Sequence, residues 1–597
     1  MNTPTHPTEP HETLNPRQQM IAAILRRMET AVDAVAYCQS LDATHPDYGA
    51  YVVDNRGEEH GLASADHTAT GSYLPSLVIL VFHPLSPRFG DPGLLGRLHA
   101  ALDFVLACQS EEGLIDLPKV NFRSPPDTGF AVQFFGEAYR WLVACESDAE
   151  GKSDVCGKLA LFLQAAGDGI NGRGFITPNH RWVSISALAL VGELFPEKRP
   201  FYADYIEKTL AETIDVNGDG EFSERSSAVY SAVNNRCLRL LARGLGRPEF
   251  LDAVRANLRF SLLLTQPDGS IVTSVSTRQD KDARHFATML AESYLDLAMR
   301  DKNGEWMAEG LRLAGLQGRN MTSHDNIGGL AFSLIALEDH AGEPMPSEQQ
   351  SPIRWEKHLQ HSGLWRIRSG RFASLSAVGQ NNIVSVDWGK LRLLQTRFFV
   401  PYFGREFVIS GMVPQKDGMQ LIESHPERAP GWFLPLGRPV PYPSHAEYYE
   451  IIKTREMWEL PRLDISIVLR KTSGGLDLHL QTKDGLPDMP CVLMAEFDTG
   501  GFWHTTDSIL SVKNASTVFH CGGEAIYRVG GDAVRLRANT EKTTWGLHLA
   551  ANAERFCVLF NFTTPLKAVV SLEFGTYNIA DRKFVSSKVM EDLTRTV

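Results

Sequence analysis

Positive charge is scarce in this chain. Its 597 residues carry 59 Lys and Arg against 71 Asp and Glu, a formal net charge of −12. That balance argues against a general nucleic-acid or anionic-membrane surface, since both partners are normally met by a Lys/Arg excess. Any anionic ligand must then be captured by a few local arginines working against the global field. Long apolar runs are also missing. The most apolar early stretch, Leu74 to Phe82, is too short to span a bilayer and contains Pro75. Met1 to Pro16 are polar and rich in Pro, Thr and His, with no core for a secretion signal. The eight cysteines (Cys38, Cys108, Cys145, Cys156, Cys237, Cys491, Cys521 and Cys557) are scattered, with no Cys-x-x-Cys pair or compact disulfide framework. A reduced, cytoplasmic setting is therefore expected, with most thiols packed as small hydrophobes and with neither membrane nor nucleic acid as partner. A Gly-x-x-x-x-Gly-Lys phosphate loop, a Gly-x-Ser-x-Gly elbow and a cluster with transition-metal ligand spacing are absent too.

What is present is ordinary globular composition, 43% hydrophobic and 22% charged, in a chain long enough for two or more domains. After a polar tail over 1–19, apolar positions recur at helical spacing across 20–339. Leu94 to Leu106, Phe134 to Val143, Leu188 to Leu194, Leu238 to Leu245 and Leu251 to Leu264 show it, and roughly a dozen helices are readable. Loops rich in Gly, Pro, Asn and Asp separate them, which predicts paired helices arranged as an (α/α) toroid around one cavity. Residues 340–354 read as a linker, with prolines at 344, 346 and 352. Beyond it, over 355–597, short alternating runs predict strands: Leu364 to Arg368, Ile383 to Trp388, Asp464 to Leu469, Leu476 to Leu480, Trp545 to Leu549 and Val569 to Glu573. The expected fold is an α+β multidomain chain, an N-terminal (α/α) toroid followed by a C-terminal antiparallel β-sandwich.

Four segments concentrate polar chemistry. Asp215 to Arg236 runs from a tight acidic turn into a helix expected to begin near Ser226, where Tyr230 and Asn234, four apart, share a face. Thr177-Pro-Asn-His-Arg-Trp182 places Asn179 and His180 at a loop-to-helix junction. Asn121 to Phe130 holds Asn121 and Arg123 before a helix that Asp127 or Thr128 can cap. Ser276 to His285 gathers cations and amides, Arg278 among them. Plainer roles exist for each: a half-buried aromatic for Tyr230, a structural or exposed imidazole for His180, a solvated charged loop for 276–285. Asp215-x-Asn-x-Asp-Gly220 also fits the first half of a calcium loop, but its twelfth position is Ser226 where a bidentate Glu is needed. A metal-free Asx turn that starts the helix is the preferred reading, with no metal site and no cofactor required.

Asn179-His180, followed some fifty residues later by Asp-Gly-x-Phe-x-Glu-x-Ser-x-x-x-Tyr230, resembles the heparinase II/III-like polysaccharide lyases, which combine a helical toroid with a C-terminal β-sandwich. The resemblance implies that Tyr230 is the catalytic tyrosine and that His180 with Asn179 is the upstream catalytic pair. It further implies β-elimination on a uronic-acid glycan, with an anionic oligosaccharide as ligand and an unsaturated uronyl product. Donors such as Asn179, Asn234 or an arginine would offset the uronate charge, while a base takes the C5 proton and an acid protonates O4. Either Tyr230 fills both roles, or His180 is the base and Tyr230 the acid. A phenol acting as base needs a nearby cation, and Arg181, Arg225, Arg236 and Arg278 are all candidates. Asn121, Arg123, Asn234, Arg225, Arg278 and Trp182 are the substrate-binding candidates. Two rivals stand beside this reading. One is a glycoside hydrolase or phosphorylase with paired carboxylates among Asp116, Asp127, Glu137, Glu221 and Glu224. The other is a non-catalytic carbohydrate-binding protein, with Trp182, Trp365, Trp388, Trp432 or Tyr448 stacking on sugars. A homo-oligomer is left open, as is a part for His361, Arg366 or Tyr402 in the site.

Overall fold

The structure, a computed structural model, describes residues 14–53, 64–65, 67–117, 121–174, 177–317, 324–400, 405–423, 431–433, 444–459, 461–541 and 554–591. Two compact units emerge: Met1–Thr265 with Ser270–Ser351, and Gln266–Gly269 with Pro352–Val597. The first is helical. Among its described residues the helices are α1 (Pro16–Val35), α2 (His67–Phe82), α3 (Pro92–Cys108), α4 (Pro125–Ala144), α5 (Lys152–Ile170), α6 (Pro178–Leu194), α7 (Arg199–Leu210), α8 (Tyr230–Gly244), α9 (Phe250–Leu264), α10 (Ala291–Asp301), α11 (Gly304–Ala314) and α12 (His324–Glu338). The even-numbered helices pack in sequence, and α12 packs against α2, so the ring closes. Each odd-numbered helix lies against the ring from outside.

The apolar pattern explains which helices go inside. In α6 every residue from Arg181 to Gly192 is buried, as an inner helix requires. In outer α5, Val155, Leu159, Phe162, Leu163, Ala166 and Ile170 form a one-sided buried stripe. Starts follow local chemistry: Pro92, Pro125 and Pro178 occupy first helical positions, where the missing N–H costs no hydrogen bond. Among the described residues no helix is long and apolar enough to cross a membrane.

Among its described residues the second unit consists chiefly of two large sheets, of ten and nine strands, with one short helix, His445–Lys453. The pairings are antiparallel except that Ser516–Phe519 runs parallel to Arg555–Thr563. Ile467, Leu478 and Leu572 from one sheet share a core with Ile367, Leu493 and Phe560 from the other, which makes the unit a sandwich. Leu476, Leu478 and Leu480 point inward and Asp477, His479 and Gln481 outward, so the alternation seen in the sequence is that of a half-buried strand. The expected strand Trp545 to Leu549 and the residue Tyr402 lie outside the described residues. Trp365, Trp388 and Arg366 are buried in this unit, which removes all three as free surfaces for a ligand.

Candidate active site

The Asp215–Val229 segment is built by its own hydrogen bonds. Asn217 Oδ1 accepts from the backbone N–H of Asp219 at 3.0 Å and of Glu221 at 3.1 Å, an Asx turn. Gly220 adopts φ +98, and a Cβ there would lie 2.3 Å from the Ala256 carbonyl oxygen. Only glycine allows this close approach to α9. Asp215 accepts from Arg181 Nη2 at 2.7 Å and from Trp182 Nε1 at 2.9 Å. Burial opposes its ionisation, but the Ser223 hydroxyl, Arg181 and Trp182 hold the carboxyl below its ordinary range.

Helix α8 begins at Tyr230, one turn later than expected, because Ser226–Val229 are held in another conformation. Asp280, almost fully buried, accepts from Ser226 Oγ at 2.9 Å, Ala228 N at 3.0 Å and Ser276 Oγ at 3.0 Å. Ser226 Oγ then accepts from Tyr230 N at 3.1 Å. The Ser276–Asp280 loop is thus a clip that fixes the start of α8. It had read as a solvated charged loop.

The same loop carries Arg278 and Gln279 to the tyrosine. Arg278 Cζ lies 4.7 Å from the centroid of the Tyr230 ring, and Gln279 Nε2 donates to the phenol oxygen at 3.3 Å. Arg278 Nη1 also lies 2.7 Å from Glu224 Oε1, the oxygen that accepts from Asn179 Nδ2 at 2.6 Å. Burial pushes the Glu224 carboxyl up, against the lowering effect of Asn179 and Arg278. Asn179, Glu224, Arg278 and Tyr230 therefore form one chain of contacts. Tyr230 and His180 are half-buried, and Arg278 is 34% exposed, so the outer end of this chain meets solvent. Burial lowers the His180 pKa; Asp127 opposes that shift and Arg278 adds to it.

The other expected residues divide. Asn179 is fully enclosed and faces Glu224, so in this state it presents nothing to a ligand. Asn234, one turn beyond Tyr230, is also fully buried, and neither atom of its amide finds a hydrogen-bond partner among the described residues. Asn235 turns the other way and ties α8 to α9 through Asn257 at 2.9 Å. Trp182 is fully buried with its N–H on Asp215, which corrects its assignment as a sugar platform: it has no open face. Asn121 reaches Asp127 Oδ2 at 3.4 Å, while Arg123 is exposed and lies 3.5 Å from Glu112. Ser124, rather than Asp127 or Thr128, caps α4. Of the four arginines considered for the phenol, Arg181 is paired with Glu212 and Asp215. Arg236 is buried on Glu292 and stacked over Phe332. Arg225 pairs with Glu221 at 3.2 Å, and Arg278 lies over the Tyr230 ring.

No protein-family model matches the chain, and no curated protein matches its sequence. Among solved structures it is similar to heparinase III, at 9% identity over 96% of this chain and 88% of that one, with a TM-score of 0.46. It is similar to a chondroitinase AC lyase at 10% identity, over 94% of this chain and 80% of that one, with a TM-score of 0.45. A mutant heparan sulfate lyase from Pedobacter heparinus is similar at 12% identity, over 96% and 85%, with a TM-score of 0.40.

Proposed function

We propose that the protein is a carbon–oxygen lyase that cleaves uronic-acid-containing oligosaccharides by β-elimination and leaves an unsaturated uronyl product. The observation that carries this reading is the Arg278 guanidinium, 4.7 Å from the centroid of the half-exposed Tyr230 ring. A cation there offsets negative charge both on an ionising phenol and on a uronate carboxylate beside it. Asn179 and Glu224 hold that guanidinium in place from the buried side.

The C5–H bond breaks as a base takes the proton, and its electron pair forms the C4–C5 double bond. As that double bond forms, the C4–O4 bond breaks with its own pair, and O4 receives a proton. With base and acid on one face of the sugar, Tyr230 fills both roles in turn. With them on opposite faces, His180 takes the C5 proton and Tyr230 protonates O4. Burial favours the uncharged imidazole, the form a base needs. Hydrolysis by paired carboxylates is less well supplied: Glu224 is engaged by Asn179 and Arg278, Glu221 by Arg225, and Glu137 by Arg140 and Arg243.

The test is ultraviolet absorbance of the new double bond across a panel of uronic-acid oligosaccharides. An absorbing product is expected, and Tyr230→Phe should lower its rate by about 10²–10⁴-fold, the usual worth of a general acid or base. Cleavage without absorbance, or a Phe variant as active as the parent, overturns the reading.

A further inference from the structure

The outward face of the ten-stranded sheet carries a groove of about 550 Å³, within the usual size range of a ligand site. Register sets its floor. On the neighbouring strands Leu463–Thr472, Gly475–Asp484 and Lys567–Asn578, Val468 lies opposite His479 and His479 opposite Val569. One rung along, Ser466 lies opposite Gln481 and Gln481 opposite Lys567. Arg470 lines the groove on the other side of the Val468 rung, and Asn539 completes its polar lining.

Three features point to a ligand. First, Ser466, Arg470, His479, Gln481, Asn539 and Lys567 line the groove, and no hydrogen bond or ion pair joins their side chains to another described residue. Arg535 and Arg537, on the same sheet, are by contrast both paired with Glu524 and Glu573. Second, none of the described residues lining the groove is acidic, in a chain of net charge −12. Asp477, opposite Arg470 in register, is not among them; it acts electrostatically on His479 and forms no ion pair with a described cation. Third, Arg470 and Lys567 stand four residues and two strands apart, or about 17 Å between Cα atoms on standard sheet dimensions. Cations so spaced can each take a separate acid group along one chain. Between them Val468 and Val569 offer an apolar floor beside the His479 ring, and among the described residues no Phe, Tyr or Trp lines the groove for a nucleobase to stack on.

We propose that this groove is a second binding site for an acidic oligosaccharide, whose successive carboxylates are taken by Arg470 and Lys567. The choice of ligand rests on the uronide reading; the site itself uses none of the residues around Tyr230. The test is calorimetric titration of the full-length Tyr230→Phe protein with octasaccharides of hyaluronan, chondroitin and heparosan. A neutral maltooctaose and a twelve-nucleotide single-stranded DNA are the comparison ligands. At least one acidic octasaccharide is expected to bind in a salt-dependent way, and adding Arg470→Ser with Lys567→Ser should remove one binding event or weaken it at least tenfold. The groove is overturned if no acidic octasaccharide binds, if the double substitution changes nothing, or if DNA binds more tightly and is lost in the same variant. Binding is read without turnover. An inactive enzyme that still loses octasaccharide through Arg470 and Lys567 sinks the lyase reading alone, and an active one indifferent to them sinks the groove alone.

Discussion

At the scale of single residues the proposed site turns on Arg278. Four arginines lay within sequence reach of Tyr230, and helical spacing could not choose among them, because the one that lies over the Tyr230 ring arrives on a separate loop, 48 positions later in the chain, as 278 − 230 shows. Trp182 was illegible for the opposite reason: an indole beside an Asn-His-Arg run reads as a platform until Asp215 is seen to hold its N–H. Glu224 is a positioning residue in this scheme. Glu224→Gln keeps the shape and removes the charge facing Arg278 at 2.7 Å. The expected result is a fall in kcat of roughly 10–100-fold with KM little changed, the scale that misplacement of a reacting group produces. Unchanged kcat, or a loss confined to KM, removes Glu224 from that role. The choice of base is settled by pH. If His180 is the base, the acid limb of kcat/KM lies below the ordinary histidine value of 6.5. Asp127 raises the imidazole pKa and Arg278 lowers it, so Asp127→Asn should move the limb to lower pH and Arg278→Gln to higher pH. A limb that moves with Arg278→Gln but ignores Asp127→Asn assigns base and acid to Tyr230 together.

Elements were more legible than contacts between them. Leu94 to Leu106 and Leu251 to Leu264 carry their helical period openly, and they match α3 and α9 because burial on one side is a local property of the sequence. The start of α8 was missed by one turn because its cause is remote: Asp280 fixes Ser226 and Ala228 from fifty residues away. The turn before it shows how one backbone conformation sets the site. Gly220 combines φ +98 with close approach to Ala256, and its carbonyl accepts from Asn257 Nδ2 at 2.9 Å. Gly220→Ala is therefore expected to cost about 2 kcal/mol or more, since left-handed strain and a backbone clash add. The same substitution should reduce elimination by displacing the entry to α8. Thermal unfolding checks the first effect and product absorbance the second; an Ala variant as stable and active as the parent shows that the turn relaxes freely.

For the whole molecule the order of helical and sheet units could be read from texture alone, but the closure of α12 on α2 could not. Ring closure depends on helices more than two hundred residues apart, as 324 − 82 shows, and no local period records it. Charge is the property that the sequence states outright and the structure gives meaning to. Under the proposed function, a net charge of −12 repels a uronide at long range, while Arg278 attracts it at short range. These effects respond differently to salt, because the screening length falls from about 30 Å at 0.01 M to about 10 Å at 0.1 M and about 3 Å at 1 M. Between the first two conditions the long-range repulsion is removed and contacts of a few ångströms survive. Between the last two, the contacts themselves are screened. The specificity constant kcat/KM for an acidic oligosaccharide should therefore rise from 0.01 M to about 0.1 M salt and fall towards 1 M, while a neutral ligand's binding stays flat. A steady fall from the lowest salt upwards means that the field outside the site is already attractive, so that local cations outweigh the acidic surface well before contact.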